Sequence, residues 1–350
     1  MSPDDLKRLR ATFRPSTDLA YFPVDHVDFD NLVGERVAES RLVAELTQRG
    51  DRGRVAVIGP SGSGKSSMIA STLARLPDHH IALIIQVGNA GPALQDTGAF
   101  ARFVLEELGR QVDTMLAPRE RGALEFGAAT RRTRARGQRG AQVTLRIPLI
   151  PLDIAAELKT AVITDEVQVG SPTAVVTLRR AVDIIGAHER RSVLVLDDTD
   201  KWAGGVDGGI DRDAADAFFR HGVRILCDID CDLIVAVHDR FLALETFRSV
   251  AHFFTEQIMI PRFPDPRQPL ADILTRRLDN EGVTAPVDEL LSIEALTLLE
   301  AAYAERAQNL RFVLQIMHEG IVDATGQDAG VVDRLTMYHA AERVRNRFRT

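Results

Sequence analysis

The sequence predicts an α/β protein: a parallel sheet flanked by helices and carrying a phosphate-binding P-loop, with a β-hairpin-like insertion and a C-terminal helical lid. Three observations predict it. "RVAVIGPSGSGKSSMIASTL" (54–73) reads as strand, glycine-rich turn and helix; "RRSVLVLDDTDKW" (190–202) reads as a buried strand ending in acids; and the chain beyond Pro286 is amphipathic at helical spacing.

Length and composition set the frame. With 350 residues, 45% hydrophobic and 27% charged, the chain buries a large core and divides into one large domain and a smaller one. The expected division is an N-terminal extension at 1–24, a P-loop ATPase domain at 25–264 that includes a basic, β-rich insertion at 118–170, and a helical lid domain at 265–350. No stretch of about 18 apolar residues occurs, and "MSPDDLKRLR" lacks the apolar segment of a signal peptide, so a cytoplasmic protein without a membrane partner is expected. The two cysteines, Cys227 and Cys231, are expected as buried free thiols. A net charge of −7 opposes nucleic-acid binding by the surface at large and leaves room for a local basic patch.

The strand Val55–Ile58 leads into Gly59, Pro60, Ser61, Gly62, Ser63, Gly64, Lys65 and Ser66, the pattern G-x-x-x-x-G-K-S. Backbone N–H groups in such a loop wrap a β-phosphate, Lys65 reaches the β/γ oxygens and Ser66 holds Mg²⁺. The helix that opens there, with Ser67 in its first turn, adds its positive end. ATP and Mg²⁺ are the implied ligands. An ATPase also needs a carboxylate site, and Ser192–Leu196 delivers Asp197 and Asp198 to the C-terminal end of a buried strand. Asp197 is the expected Mg²⁺ ligand, and Asp198 the residue that orients or deprotonates the attacking water. Asp200 has the weaker claim, as a cap on the loop.

Between Lys65 and Asp197 lies more chain than one strand, two helices and their turns require. "HIALIIQVG" (80–88) reads as a second strand, and "DTGAFARFVLEELGRQVDTML" (96–116) as a helix with Phe100, Phe103, Val104 and Leu108 on one face. Five arginines follow: Arg131, Arg132, Arg134, Arg136 and Arg139. So dense a charge run is either a solvated arm or a contact for an acidic protein or a DNA backbone. Val143, Leu145, Ile147 and Leu149 then alternate with polar residues as in a hairpin. Leu152, Ile154 and Leu158 extend that pattern, or else "DIAAELKTAV" forms a helical turn. A helix over 173–189 returns the chain to Asp197. "AGGVDGGID" (203–211) is a glycine-rich loop, and Trp202 beside it either meets a partner or packs on the domain.

With these motifs in place, the chain resembles AAA+ and STAND-type ATPases, closest in character to the origin-recognition and helicase-loader branch. "FDNLVGERVAESRLVAEL" (29–46) is similar to the segment before their phosphate loop, "CDLIVAVHDRFL" (231–242) to their sensor 1 strand, "EQIMIPRFPDPRQPLADILTRRL" (256–278) to their last strand and lid, and "QNLRFVLQIM" (308–317) to their sensor 2 helix. The resemblance implies that Val33 and Gly34 lie against the adenine, that His238 or Asp239 senses the γ-phosphate, and that Arg311 reaches the phosphates from the lid. It implies an arginine finger at Arg248, with Arg240 and Arg262 as rivals, and hence a homo-oligomer. The Asp-Asp pair is closer to STAND and KAP-type proteins, which act as slow switches. The implied activity is slow ATP hydrolysis that regulates or loads a separate effector or client protein, with DNA as a further partner through Arg131–Arg139, in a mobile-element or defence setting. A nucleotide-dependent scaffold with little turnover and a nucleic-acid-stimulated ATPase are the alternatives.

Overall fold

A computed structural model of the chain describes residues 25–48, 52–120, 171–203, 210–306, 309–327 and 329–347, with the isolated positions 5, 6, 9, 50, 154, 155, 157 and 158; side chains are described for 111 but not for 112–120, nor for 171–173. Two short helices, α1 (Phe29–Val33) and α2 (Glu39–Thr47), precede the sheet. Each lends a carboxylate to the other. Asp30 accepts from the N–H groups of Val37, Ala38 and Ser40 at 2.7–2.8 Å, and Glu39 accepts from those of Phe29 and Asp30 at 3.0 and 3.1 Å. Helix starts leave four N–H groups without partners, and these two acids fill that need reciprocally.

Strand β1 (Arg54–Gly59) runs into α3 (Lys65–Leu73), followed by β2 (His80–Gln86), α4 (Thr97–Glu120), α5 (Ser171–Ala187) and β3 (Arg191–Asp197). Helix α6 (Arg212–Ala217) continues through a π-helical stretch, Phe218–Val223, into Arg224–Cys227. Then come β4 (Asp232–His238), α7 (Glu245–Val250), β5 (Glu256–Met259) and five helices: α8 (Arg267–Asn280), α9 (Val287–Leu290), α10 (Ile293–Glu305), α11 (Leu310–Gly326) and α12 (Arg334–Arg347). The five strands form one all-parallel sheet in the order β2-β3-β4-β1-β5. This is the expected α/β fold with a helical C-terminal region. The arginine run and the 142–152 alternation lie outside the described residues. Ile154, Ala155 and Leu158 are helical and buried in the core, which favours the helical turn over the extended strand at those positions.

Both sheet faces are covered, so the middles of β1–β4 are apolar. Ile58, Leu196, Val235 and Val237 pack on one side with α4, α5 and the aromatic group Phe100, Trp202, Phe218, Phe219, Phe241 and Phe247. Trp202 is 5% exposed, its ring centroid 5.0 Å from that of Phe218, so packing is its role. Val57, Val195 and Ala236 face α3 and the C-terminal helices on the other side. Cys227 and Cys231 are buried free thiols, pushed up to about 11 and about 12 by loss of hydration. At the far end of the sheet Asp232, fully buried, accepts from Arg191 at 2.5 and 2.7 Å and from Gly53 N–H at 2.7 Å, which fixes the β3–β4 register. No helix among the described residues is long and apolar enough to cross a membrane.

Candidate functional site

Register brings the site together. Gly59 lies beside His238 across the β1–β4 pair, and Gln86 beside Asp197 across β2–β3, so four strands end on one rim, where parallel sheets hold their ligands. From that rim the loop 60–64 turns back over β1. Gly62 and Gly64 have φ of +72° and +102°, a left-handed region that glycine enters without cost.

Lys65 is 5% exposed and folds onto the loop. Its Nζ donates to Gly59 O and Pro60 O, both at 2.9 Å, and lies 2.9 Å from Asp200 Oδ1. Asp200, expected as a cap, is instead the counter-ion of this lysine. Ser66 hydrogen-bonds to Asp197, whose carboxylate also accepts from Asp198 N–H at 2.8 Å. Burial pushes the Asp197 carboxyl above the usual range, against those hydrogen bonds and Lys65. The two expected metal ligands are therefore in contact. One carboxylate and one hydroxyl suit a small hard cation that keeps several waters. Ser63 Oγ is buried and without a hydrogen-bond partner inside the loop.

Asp198 turns elsewhere. Its φ is +73°, and its Oδ2 pairs at 2.7 Å with Lys201 Nζ, which also donates to Asn89 Oδ1 at 2.9 Å; Oδ2 lies against Gly88 beyond the end of β2. His238 is 6% exposed, and its Nδ1 accepts from Arg240 N–H at 3.2 Å. Burial holds its imidazole below the ordinary value, with Asp200 opposing and Lys65 adding to the effect. Asp239 sits 3.0 Å from His238 Nδ1 and bridges to Arg262 at 3.0 Å.

The helix α11 stands on the loop. Arg311 N–H donates to Gly62 O at 3.2 Å, and Asn309, which caps α11 through Phe312 N–H at 2.9 Å, lies where a Cβ on Gly62 would stand. The Arg311 side chain is exposed. Arg248 is exposed on α7, its Nε 3.4 Å from Leu242 O. Phe29 carries the contact of α1 with the loop, its ring touching the Gly64 position and stacking on Phe263 at 6.2 Å. Val33 is 40% exposed at the other end of α1, which Gly34 closes with φ +79°. A crevice between loop, β5 exit and lid is lined by Pro60, Ser63, Ile260, Arg262, Phe263 and Leu310.

Sequence reading missed two supports. His26 joins Ser67 Oγ at 3.1 Å to Glu39 at 2.7 Å, fastening the α1–α2 unit to α3. Asn309 was readable as a helix cap, being an Asn directly before the apolar run "LRFVLQIM".

A parallel five-stranded sheet with the phosphate loop after its first strand, acids after its third and a helical lid defines a P-loop protein of AAA+ fold. No protein-family model matches the chain, and no curated protein does. Solved structures do. The ORC1 protein of Aeropyrum pernix, in complex with DNA, is similar over 96% of this chain and 69% of its own, with a TM-score of 0.53 and 15% identity. Cdc6p from Pyrobaculum aerophilum is similar over 95% of this chain and 70% of its own, with a TM-score of 0.50 and 13% identity. The fold is shared with these ORC1 and Cdc6p structures.

Proposed function

We propose that the chain binds Mg-ATP at Gly59–Ser67 and hydrolyses it slowly, as a cytoplasmic switch that regulates or loads a partner protein. The observation that carries this reading is the convergence of Lys65, the Ser66–Asp197 pair and the α11 cap Asn309 on one glycine-rich loop. Lys65 exchanges the Gly59 and Pro60 carbonyls for phosphate oxygens. Ser66 and Asp197 would hold Mg²⁺, which neutralises the β/γ oxygens when bound. A carboxylate of the stretch 197–200 orients the attacking water. His238, at the end of β4, is the proposed sensor of the γ-phosphate, and Arg311 of α11 the proposed contact from the lid to the phosphates. Arg248 serves the nucleotide of a neighbouring copy in a homo-oligomer.

DNA is a further proposed partner, contacted through Arg131–Arg139. It is supported by charge, and by the similarity to a protein solved with DNA bound. A scaffold with little turnover is the second reading, favoured by the pairing of Asp198 with Lys201 rather than with the loop. Titration of a fluorescent ATP analogue tests the central claim. Lys65→Ala should lose binding by about 100-fold or more, because a charge-assisted contact to phosphate disappears; unchanged affinity would remove ATP binding at this loop.

A further inference from the structure

We propose that Asp200, rather than Asp198, orients the attacking water and accepts its proton; this rests on ATP binding at the Gly59–Ser67 loop. The stretch "DDTD" offers three acids, and the fold separates them. Asp197 is committed to Ser66. The left-handed backbone at Asp198 sends its side chain toward β2, where Lys201, itself bonded to Asn89, pairs with it, on the side of β3 away from β1. Thr199 then reverses the direction. Its buried hydroxyl donates to Ala236 O at 2.7 Å, pinning the turn onto β4, the strand between β3 and the phosphate-loop strand.

The next residue is therefore carried over β4 to Lys65. Asp200 Oδ2 accepts from Nζ at 3.1 Å, and the buried Oδ1 lies 2.9 Å from the same ammonium as its ion-pair partner. The carboxylate is thereby held beside the ammonium that reaches for the γ-phosphate. Lys65 also offsets the charge of Asp200, which lowers the repulsion a bare carboxylate would exert on an incoming triphosphate. His238 faces the same cluster from the end of β4.

The step balances without another reagent. The water oxygen forms a bond to the γ-phosphorus as the bond to the β–γ bridging oxygen breaks, its electron pair leaving with ADP. One water proton passes to Asp200 and then to solvent; the other stays on the released phosphate.

Nucleotide affinity and single-turnover phosphate release, measured on the parent chain and on Asp200→Asn, Asp200→Glu and Asp198→Asn, test the assignment. Asp200→Asn should keep nucleotide affinity and lower turnover by about 10²–10³-fold, the scale of lost general-base catalysis. Asp200→Glu should recover part of it, and Asp198→Asn should cost less than about tenfold. A large loss in Asp198→Asn with turnover kept in Asp200→Asn would overturn the inference, as would loss of nucleotide affinity in Asp200→Asn. A parent that binds nucleotide without turning it over also overturns it while leaving the binding reading intact. A parent that binds none overturns both.

Discussion

Among the described residues, the segment before the phosphate loop reaches it through Phe29, packed at Gly64, and through His26, hydrogen-bonded to Ser67 at one ring nitrogen and to Glu39 at the other, whereas the lid reaches it through one backbone bond, Arg311 N–H to Gly62 O, and the packing of Asn309. Glu39 is 1% exposed and serves three donors, and Asp30 answers it with three more. Hydrogen bonds to charged groups contribute about 1.5–3 kcal/mol each, while a neutral one contributes about 1. At the loop itself, one flank is thus held by hydrogen bonds to charged groups and the other by a neutral hydrogen bond and packing. The proposed switch would draw on this asymmetry, the weaker contact being the one that a change at the loop alters first.

The largest effect is expected from breaking the flank held by charged groups. Glu39→Ala strands the N–H groups of Phe29 and Asp30 and frees His26, and should destabilise the fold by about 3 kcal/mol in urea unfolding, well beyond any lid variant. The same residue predicts a pH dependence. Burial would raise the Glu39 carboxyl, but the hydrogen bonds from His26, Phe29 and Asp30 outweigh it and hold it below its ordinary 4.5. The unfolded chain therefore takes up the proton first. Stability from Glu39 is complete above pH 4.5 and lost as pH falls below it, and Glu39→Gln should flatten that acid limb.

On the lid side, Gly62→Ala drives a methyl into Asn309 Oδ1 at a φ of +72°. It should cost about 1–2 kcal/mol and raise amide exchange over 309–317, with Asn309→Ala in the same chain restoring part of the loss. Asn309→Ala alone removes the cap on Phe312 N–H and should cost about 1 kcal/mol in the same unfolding assay. A marker for neither side is the thiol pair. Cys227 and Cys231, held up at about 11 and about 12 by burial, should resist a disulfide reagent at pH 8 in the folded chain and react at once in denaturant.

Much of this was legible in the chain. Glycine spacing and the Lys65–Ser66 pair mark the loop because only that backbone path exposes its N–H groups to a phosphate. The apolar run ending at Asp197 marks β3 because a strand covered on both faces has no polar position to spare. Asp200 was undervalued because its partner is 135 positions away, and no local pattern records an ion pair made across β4. The π-helical turn at Phe218–Val223 also escaped; within it a Cβ on Gly222 would stand 3.1 Å from Phe100, a close approach that no local pattern records.

By itself, then, the sequence determined the strands, the phosphate loop, the buried thiols and the helical lid, because periodicity and glycine placement are local properties that any compact form of this chain must satisfy. Only the tertiary structure decided which way each acid of "DDTD" points, that Asp30 and Glu39 cap each other's helices, and that the cap of α11 rests on Gly62. Those outcomes depend on strand order and on a turn fixed by one hydroxyl, Thr199 to Ala236 O. Lys65 to Asp200, Thr199 to Ala236 and Gly62 to Asn309 join residues distant in the chain, and the site is assembled there.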